Sequence, residues 1–205
     1  TEPPRCGRGS PLDRPAGVSP LGTIRMLPMT SPSAGLPRTA RPPVFSGRSM
    51  LALLGFLLLS AVVSGLGGAV TTPEIDGWYR TLPKPGFTPP DWVFAPVWTT
   101  LYILMAVAAW RVWRKAGIAG ARGALGLHLV QLALNLAWSV LFFGLHQVGL
   151  ALVDILVLLV AVTATAIAFG RHDRPAGLLM LPYLAWGVFA TALNASIWLN
   201  LSPGL

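Results

Sequence analysis

Five apolar runs, each about 20 residues or longer and separated by short gaps, decide what this chain can fold into. They fall at about residues 49–70, 92–113, 122–144, 147–169 and 176–200. At 1.5 Å per residue, a helix of about 20 residues crosses the roughly 30 Å hydrocarbon core of a bilayer. The runs are too long for strands and lack the alternation of a membrane barrel. In lipid, every backbone N–H and C=O must find a partner within the protein, which makes these runs helices. The expected fold is an all-α membrane protein, a five-transmembrane-helix bundle with a disordered N-terminal tail.

Composition supports this. Charged residues make up 11% of the chain and hydrophobic ones 54%, against about 25% charged in soluble domains. That is too little charge for a water-facing surface. The formal net charge of +8 raises nucleic acid as a partner, but its distribution argues against one. The basic residues lie in the tail and in short gaps between apolar runs, with no basic face on a soluble element. Cys6 is the only cysteine, so no intrachain disulfide forms and no Cys/His set has metal-ligand spacing.

Residues 1–47 are rich in Pro, Arg, Gly and Ser, and cannot bury enough apolar surface to offset their ordering entropy. They form a disordered tail or reflect a mis-called start; Met26, Met29 and Met50 are conceivable alternative starts. The membrane domain is residues 48–205. Arg38, Arg41 and Arg48 precede the first span. Arg111, Arg114, Lys115 and Arg122 lie between spans two and three, and Arg171 and Arg174 between four and five. The other side carries only Arg80 and Lys84. The positive-inside rule therefore puts the N-terminus inside and the C-terminus outside.

The longest connection, residues 71–91, is punctuated by prolines and carries aromatics. Rigid backbone and ring packing in a long ordered loop suit a lid formed by Trp78, Tyr79, Lys84, Pro85, Pro89 and Pro90. The competing reading is an interfacial aromatic belt. Span three aligns His128, Gln131, Asn135, Trp138 and Phe142 on one helical face. Polar groups at membrane depth turn inward, either to a site or to bond neighbouring helices. Span five aligns Tyr183, Trp186, Ala190, Asn194 and Ile197. Span two aligns Trp92, Ala95, Thr99, Tyr102 and Ala106. Faces mixing rings, small residues and hydrogen-bonding groups suit a flat, largely apolar ligand, although an aromatic-packed core uses the same residues.

Asp154, about two turns into span four, is by position a functional candidate with a part in gating; the favoured reading is a carboxylate capped by Ser, Thr or backbone donors near the outer interface. Ser60, Ser64 and Gly68 give small-xxx-small spacing for close helix approach. Spans one and four otherwise look like scaffold. No nucleophile elbow, HExxH, Walker loop or catalytic carboxylate pair is present.

The string Trp78-Tyr79, Lys84-Pro85, Pro89-Pro90, Trp92-Val93-Phe94, Pro96, Trp98 and Leu101-Tyr102 resembles the TspO/MBR family of tryptophan-rich sensory and translocator proteins. So do Gln131-Leu132, Asn135, Trp138 and Phe142-Phe143-Gly144, then Pro182-Tyr183, Trp186 and Leu193-Asn194. The likeness runs over about residues 50–200. It implies a five-helix bundle, a homodimer in bacteria, and an outer-side pocket under the first loop for porphyrins, haem-pathway intermediates and benzodiazepine-type drugs. It implies pocket roles for Trp92, Asn135, Trp138, Trp186, Ala190 and Asn194, with Trp92 and Trp186 the candidates for light-dependent porphyrin breakdown.

Two departures stand out. The stretch 193–199 lacks the tyrosine and arginine of the animal cholesterol-recognition segment, which argues against high-affinity cholesterol binding. Gly86-Phe87 stands where many bacterial members carry a second aromatic pair.

The combined expectation is a tetrapyrrole-binding sensor, regulator or carrier with a pocket between spans two, three and five. It needs no obligatory cofactor or metal, takes porphyrin or haem as ligand, and sits in a bacterial cell membrane. The alternatives are a porphyrin-degrading photoenzyme and a structural partner without a small ligand.

Overall fold

The computed structural model describes residues 46–201; the tail reading for residues 1–45 lies outside them. Ser46 caps the first helix by accepting a hydrogen bond from the Ser49 amide at 3.2 Å, so helix begins where the tail was expected to end. Helix α1 spans Gly47–Ile75. It runs about a turn past the expected end at residue 70, through Pro73. Only one backbone bond is lost there, and the end of the helix absorbs it. After α1 come a one-turn helix α2, Trp78–Thr81, and a 3-10 turn, Asp91–Val93.

The next helix, α3, covers Phe94–Ser139 and is followed by a π turn, Val140–Gly144. It is not one rod. Gly117 has φ 66° and ψ 179°, a backbone conformation open almost only to glycine. Tyr102 donates to Asn135 at 2.5 Å, and Gln131 meets Met105 Sδ at 3.6 Å. In a straight helix the first pair would lie about 50 Å apart. The two pairs nest about Gly117, so arms 94–116 and 118–139 pack antiparallel. Among the described residues four helical stretches are long and apolar enough to cross a membrane; the fold-back of α3 makes the expected five spans. The expected gap at 114–121 shrinks to one residue because its alanines and basic residues are good helix formers.

Helix α4 is Val148–His172, and α5, Arg174–Leu178, precedes α6, Leu181–Leu201. The fifth span, expected to be continuous over 176–200, is thus broken at residues 179–180. Pro182 cannot donate to the preceding turn, which loosens the ladder there. The core is formed by Tyr102, Met105, Leu132, Ile155, Phe169 and Tyr183 from both arms of α3, α4 and α6, with Met180 from the break before α6. Many leucines, valines and isoleucines on the outer faces are exposed, among them Leu51, Leu58, Val160 and Val188. That outward apolar surface fits a lipid solvent.

One charged cluster pins the basic end. Arg111 Nε donates to Asp173 Oδ2 at 2.5 Å, and Lys115 pairs with the other carboxylate oxygen. Asp173 is buried. Burial alone would raise its carboxyl, but the bonds and charges of Arg111 and Lys115 hold it below the ordinary carboxylate value. On the same side Trp110 donates to the Ser49 carbonyl at 2.9 Å, with Arg114 lying over its ring.

Candidate functional site

At the opposite end, under the 76–91 connection, lies a cavity of about 280 Å³. The first arm of α3 supplies Phe94, Ala95, Trp98, Thr99 and Tyr102. The second arm and π turn supply Asn135, Trp138, Ser139, Phe142 and Phe143. Helix α6 supplies Trp186, Phe189, Ala190, Leu193 and Asn194. Spans two, three and five were expected to contribute these faces. The fourth wall was not expected: Ser64, Gly67, Gly68, Thr71, Thr72 and Ile75 of α1 close the cavity. The small residues assigned to helix contact therefore also leave room for a ligand. Helix α4 contributes no lining, in keeping with a scaffold role.

The polar groups are held rather than loose. Tyr102 donates to Asn135 Oδ1, and Asn135 Nδ2 donates to the Tyr183 hydroxyl at 3.0 Å. Trp138 Nε1 donates to Asn194 Oδ1 at 3.1 Å, while Asn194 Nδ2 donates to the Val148 carbonyl at 3.0 Å. Each amide thus fixes an aromatic side chain and is fixed in turn by another helix. Trp138 also stacks on Phe142, with ring centroids 5.2 Å apart. The π turn packs both Phe142 and Phe143 inward. Such single-turn bulges occur often at functional sites.

The lid residues are anchored in several places. Tyr79 lines the cavity and packs on Phe142 and Phe143. Burial, and then the charge of Asp91, push its phenol up to about 12. Lys84 donates to the Tyr79 carbonyl at 3.0 Å and lies over its ring at 4.3 Å. Trp78 stacks on His146 at 4.1 Å, and His146 pairs with Glu74 at 3.1 Å. Thr88 bonds back to the Pro85 carbonyl at 2.8 Å, and the Pro90 carbonyl accepts from Val93 at 3.0 Å. Pro89 is half-buried between these turns. The Pro83 carbonyl accepts from Asn200 at 3.2 Å.

Several expected site residues lie elsewhere. Trp92 is 74% exposed and does not line the cavity. It sits in the 3-10 turn, where successive side chains diverge by about 120°, and Asp91 takes the inward direction instead. Tyr183 is buried behind Asn135 and Trp98 rather than at the wall. His128 and Gln131, aligned with Asn135 in sequence, lie outside the cavity. They meet each other at 3.1 Å, with His128 against Phe169. Asp154 lacks the expected cap: its Oδ2 is buried with no hydrogen-bond partner.

Phe94, Trp98, Phe143, Phe189 and Asp91 were missed as lining residues. Centring the span-two face on Trp98 rather than Trp92 would have found Phe94 and Trp98. The α1 wall was signalled by small and hydroxyl residues at 64, 68, 71 and 72, at helical spacing.

The fold and the cavity define a class: an integral membrane protein with an aromatic-lined chamber inside a five-span bundle. Residues 56–199 match the TspO/MBR family. The chain is 43% identical over 147 residues to the "Translocator protein" of Bos taurus, covering 71% of this chain and 87% of that one. It is 43% identical over 144 residues to the "Tryptophan-rich protein TspO" of Chlorobaculum tepidum, covering 68% and 89%. It is 44% identical over 144 residues to the "Tryptophan-rich sensory protein" of Cereibacter sphaeroides, covering 69% and 89%. The chain belongs to the TspO/MBR family.

Proposed function

We propose that this protein binds a tetrapyrrole, a porphyrin or haem-pathway intermediate, in the chamber beneath the 76–91 connection, and serves as a membrane sensor, regulator or carrier. The observation that supports this is the chamber's lining. Trp98, Trp138, Trp186, Phe142 and Phe143 offer flat apolar contact, while Tyr102, Asn135, Thr99 and Asp91 offer a few polar handles. A largely apolar pocket with few fixed polar groups suits a flat ligand with polar substituents. Trp98, Trp138 and Trp186 line the chamber, so their fluorescence reports on its occupant.

Titration of protoporphyrin IX into the protein in nanodiscs, followed by tryptophan fluorescence, tests the reading. The expected result is saturable quenching that weakens in Trp138→Phe plus Trp186→Phe. Absence of saturation, or quenching unchanged in that double variant, overturns it.

The same reading takes a homodimer in a bacterial cell membrane, with the chamber on the outer side. The support for the orientation is charge: Arg111, Arg114, Lys115, Arg171 and Arg174 lie at the end remote from the lid.

A further inference from the structure

A second apolar space lies on the outside of the bundle, between the first arm of α3 and α6. It is an open groove of about 530 Å³. Val97, Thr100 and Leu101 form one side, Ala185 the other, and Trp186 and Phe189 its floor. Trp186 and Phe189 also line the inner chamber. The partition between chamber and groove is therefore one side chain thick.

The seam at this partition is unbonded, unlike the seams of α6 with its other bonded neighbours. Helix α6 is bonded to α4 through Asn194 and the Val148 carbonyl, and to the second arm of α3 through Tyr183–Asn135 and Trp138–Asn194. The first arm is bonded to the second arm through Tyr102, and to α1 through Trp110. Among the described residues no hydrogen bond joins the first arm to α6. Apolar packing holds it, with ring edges meeting at Phe94 and Trp186, 5.8 Å apart, and at Trp98 and Tyr183, 6.1 Å apart. Ring edges can slide and swing without leaving a polar group unpaired, which bonded seams in lipid cannot do.

The groove begins at the start of α3 and ends by Leu101, about 10 Å along the helix, so it faces the hydrocarbon of one leaflet. Its neighbours Ile103 and Val188 are exposed apolar side chains of the same lipid-facing surface. Phe87 of the lid lies edge-on to Phe189 at 6.2 Å, and Phe189 touches Trp186 at 5.2 Å. The mouth, by contrast, is covered by the anchored lid contacts of Trp78, Tyr79 and Lys84.

We propose that this seam is a lateral port. A flat apolar ligand dissolved in the bilayer first occupies the groove and passes into the chamber when Trp186 and Phe189 swing aside. The tetrapyrrole as occupant rests on the function proposed above; the port itself rests on the shared wall and the unbonded seam.

The test separates the two. In a Cys6→Ser background, Ala190→Cys places a thiol on the chamber wall. Its labelling in nanodiscs is compared for a membrane-soluble pyrenyl maleimide and a charged, water-soluble methanethiosulfonate. Ala185→Phe or Val97→Phe fills the groove from outside the chamber lining, and unchanged thermal midpoints show that folding is intact. The port predicts that either filling variant slows the membrane-soluble reagent by about fivefold or more, a barrier change small beside the range of association rates, and leaves the charged reagent unchanged. Lys84→Ala, which frees the lid from Tyr79, should speed only the charged reagent. If the filling variants do not slow the membrane-soluble reagent, or if Lys84→Ala speeds both reagents equally, entry is through the mouth and the port is refuted. Neither result depends on protoporphyrin IX, whose titration judges the ligand class alone.

Discussion

Asn135 is the hub of the chamber's polar network, and its removal has a calculable consequence. Its amide accepts from Tyr102 and donates to Tyr183, with all three side chains buried. Asn135→Leu keeps the branched shape and deletes both bonds. Interhelical hydrogen bonds in membrane bundles contribute about 0.6 kcal/mol on average and up to about 1.7 kcal/mol. Loss of two therefore destabilises the protein by about 1–3 kcal/mol, with two phenol hydroxyls left unpaired in an apolar setting. Reversible unfolding in mixed micelles measures this directly.

The sharper readout is a double-mutant cycle. In the parent, Tyr102→Phe should cost about 0.6–1.7 kcal/mol. In the Asn135→Leu background it should cost nothing or stabilise slightly, because the hydroxyl no longer has a partner to lose. Equal cost of Tyr102→Phe in both backgrounds would falsify the hub.

Other perturbations have equally definite outcomes. The carboxyl of Asp173 is held low by Arg111 and Lys115 despite burial, so its contribution is present above the unfolded value of about 3.9 and is lost as pH falls through the lower folded value. Acid unfolding curves should show that limb, and Asp173→Asn should remove it while costing about 2–3 kcal/mol near neutral pH. Gly117→Ala forces a side chain onto the positive-φ turn between the arms and should cost about 1–3 kcal/mol, read as a lowered thermal midpoint. The Tyr79 hydroxyl is buried without a partner, so Tyr79→Phe should be neutral or stabilise by up to about 1 kcal/mol, because the variant no longer buries an unpaired hydroxyl. Tyr79→Ala should cost about 3 kcal/mol through the lost ring packing on Phe142 and Phe143. Spectrophotometric titration should find the Tyr79 phenol protonated well past pH 10, because burial and Asp91 raise it.

Span length and apolarity, with the hydrogen-bonding demand of lipid, determine five membrane helices without any tertiary information. Helical periodicity places Asn135, Trp138 and Phe142 on one face, and Trp186, Ala190 and Asn194 on another. Those positions follow from local geometry, because 3.6 residues per turn is the same in every helix. Periodicity is silent where the backbone departs from that turn. Trp92 falls in a 3-10 turn, the π turn brings Phe142 and Phe143 inward together, and the break at residues 179–180 interrupts the fifth span. The break is marked locally by Pro182, which has no N–H to donate; the 3-10 and π turns depend on neighbours that local sequence does not specify.

Distance along one helix face also does not reveal depth. His128, Gln131 and Asn135 share a stripe, yet only Asn135 reaches the chamber, because the cavity exists where α1, α3 and α6 diverge. The role of Gly67, Gly68, Thr71 and Thr72 shows the same limit. Small residues permit close approach or leave a void, and only the packing of α1 against the other helices decides which. The sequence by itself determined the membrane helices and which faces turn inward. The tertiary structure alone decided that those faces enclose a space, and that Trp186 and Phe189 divide it from the groove outside.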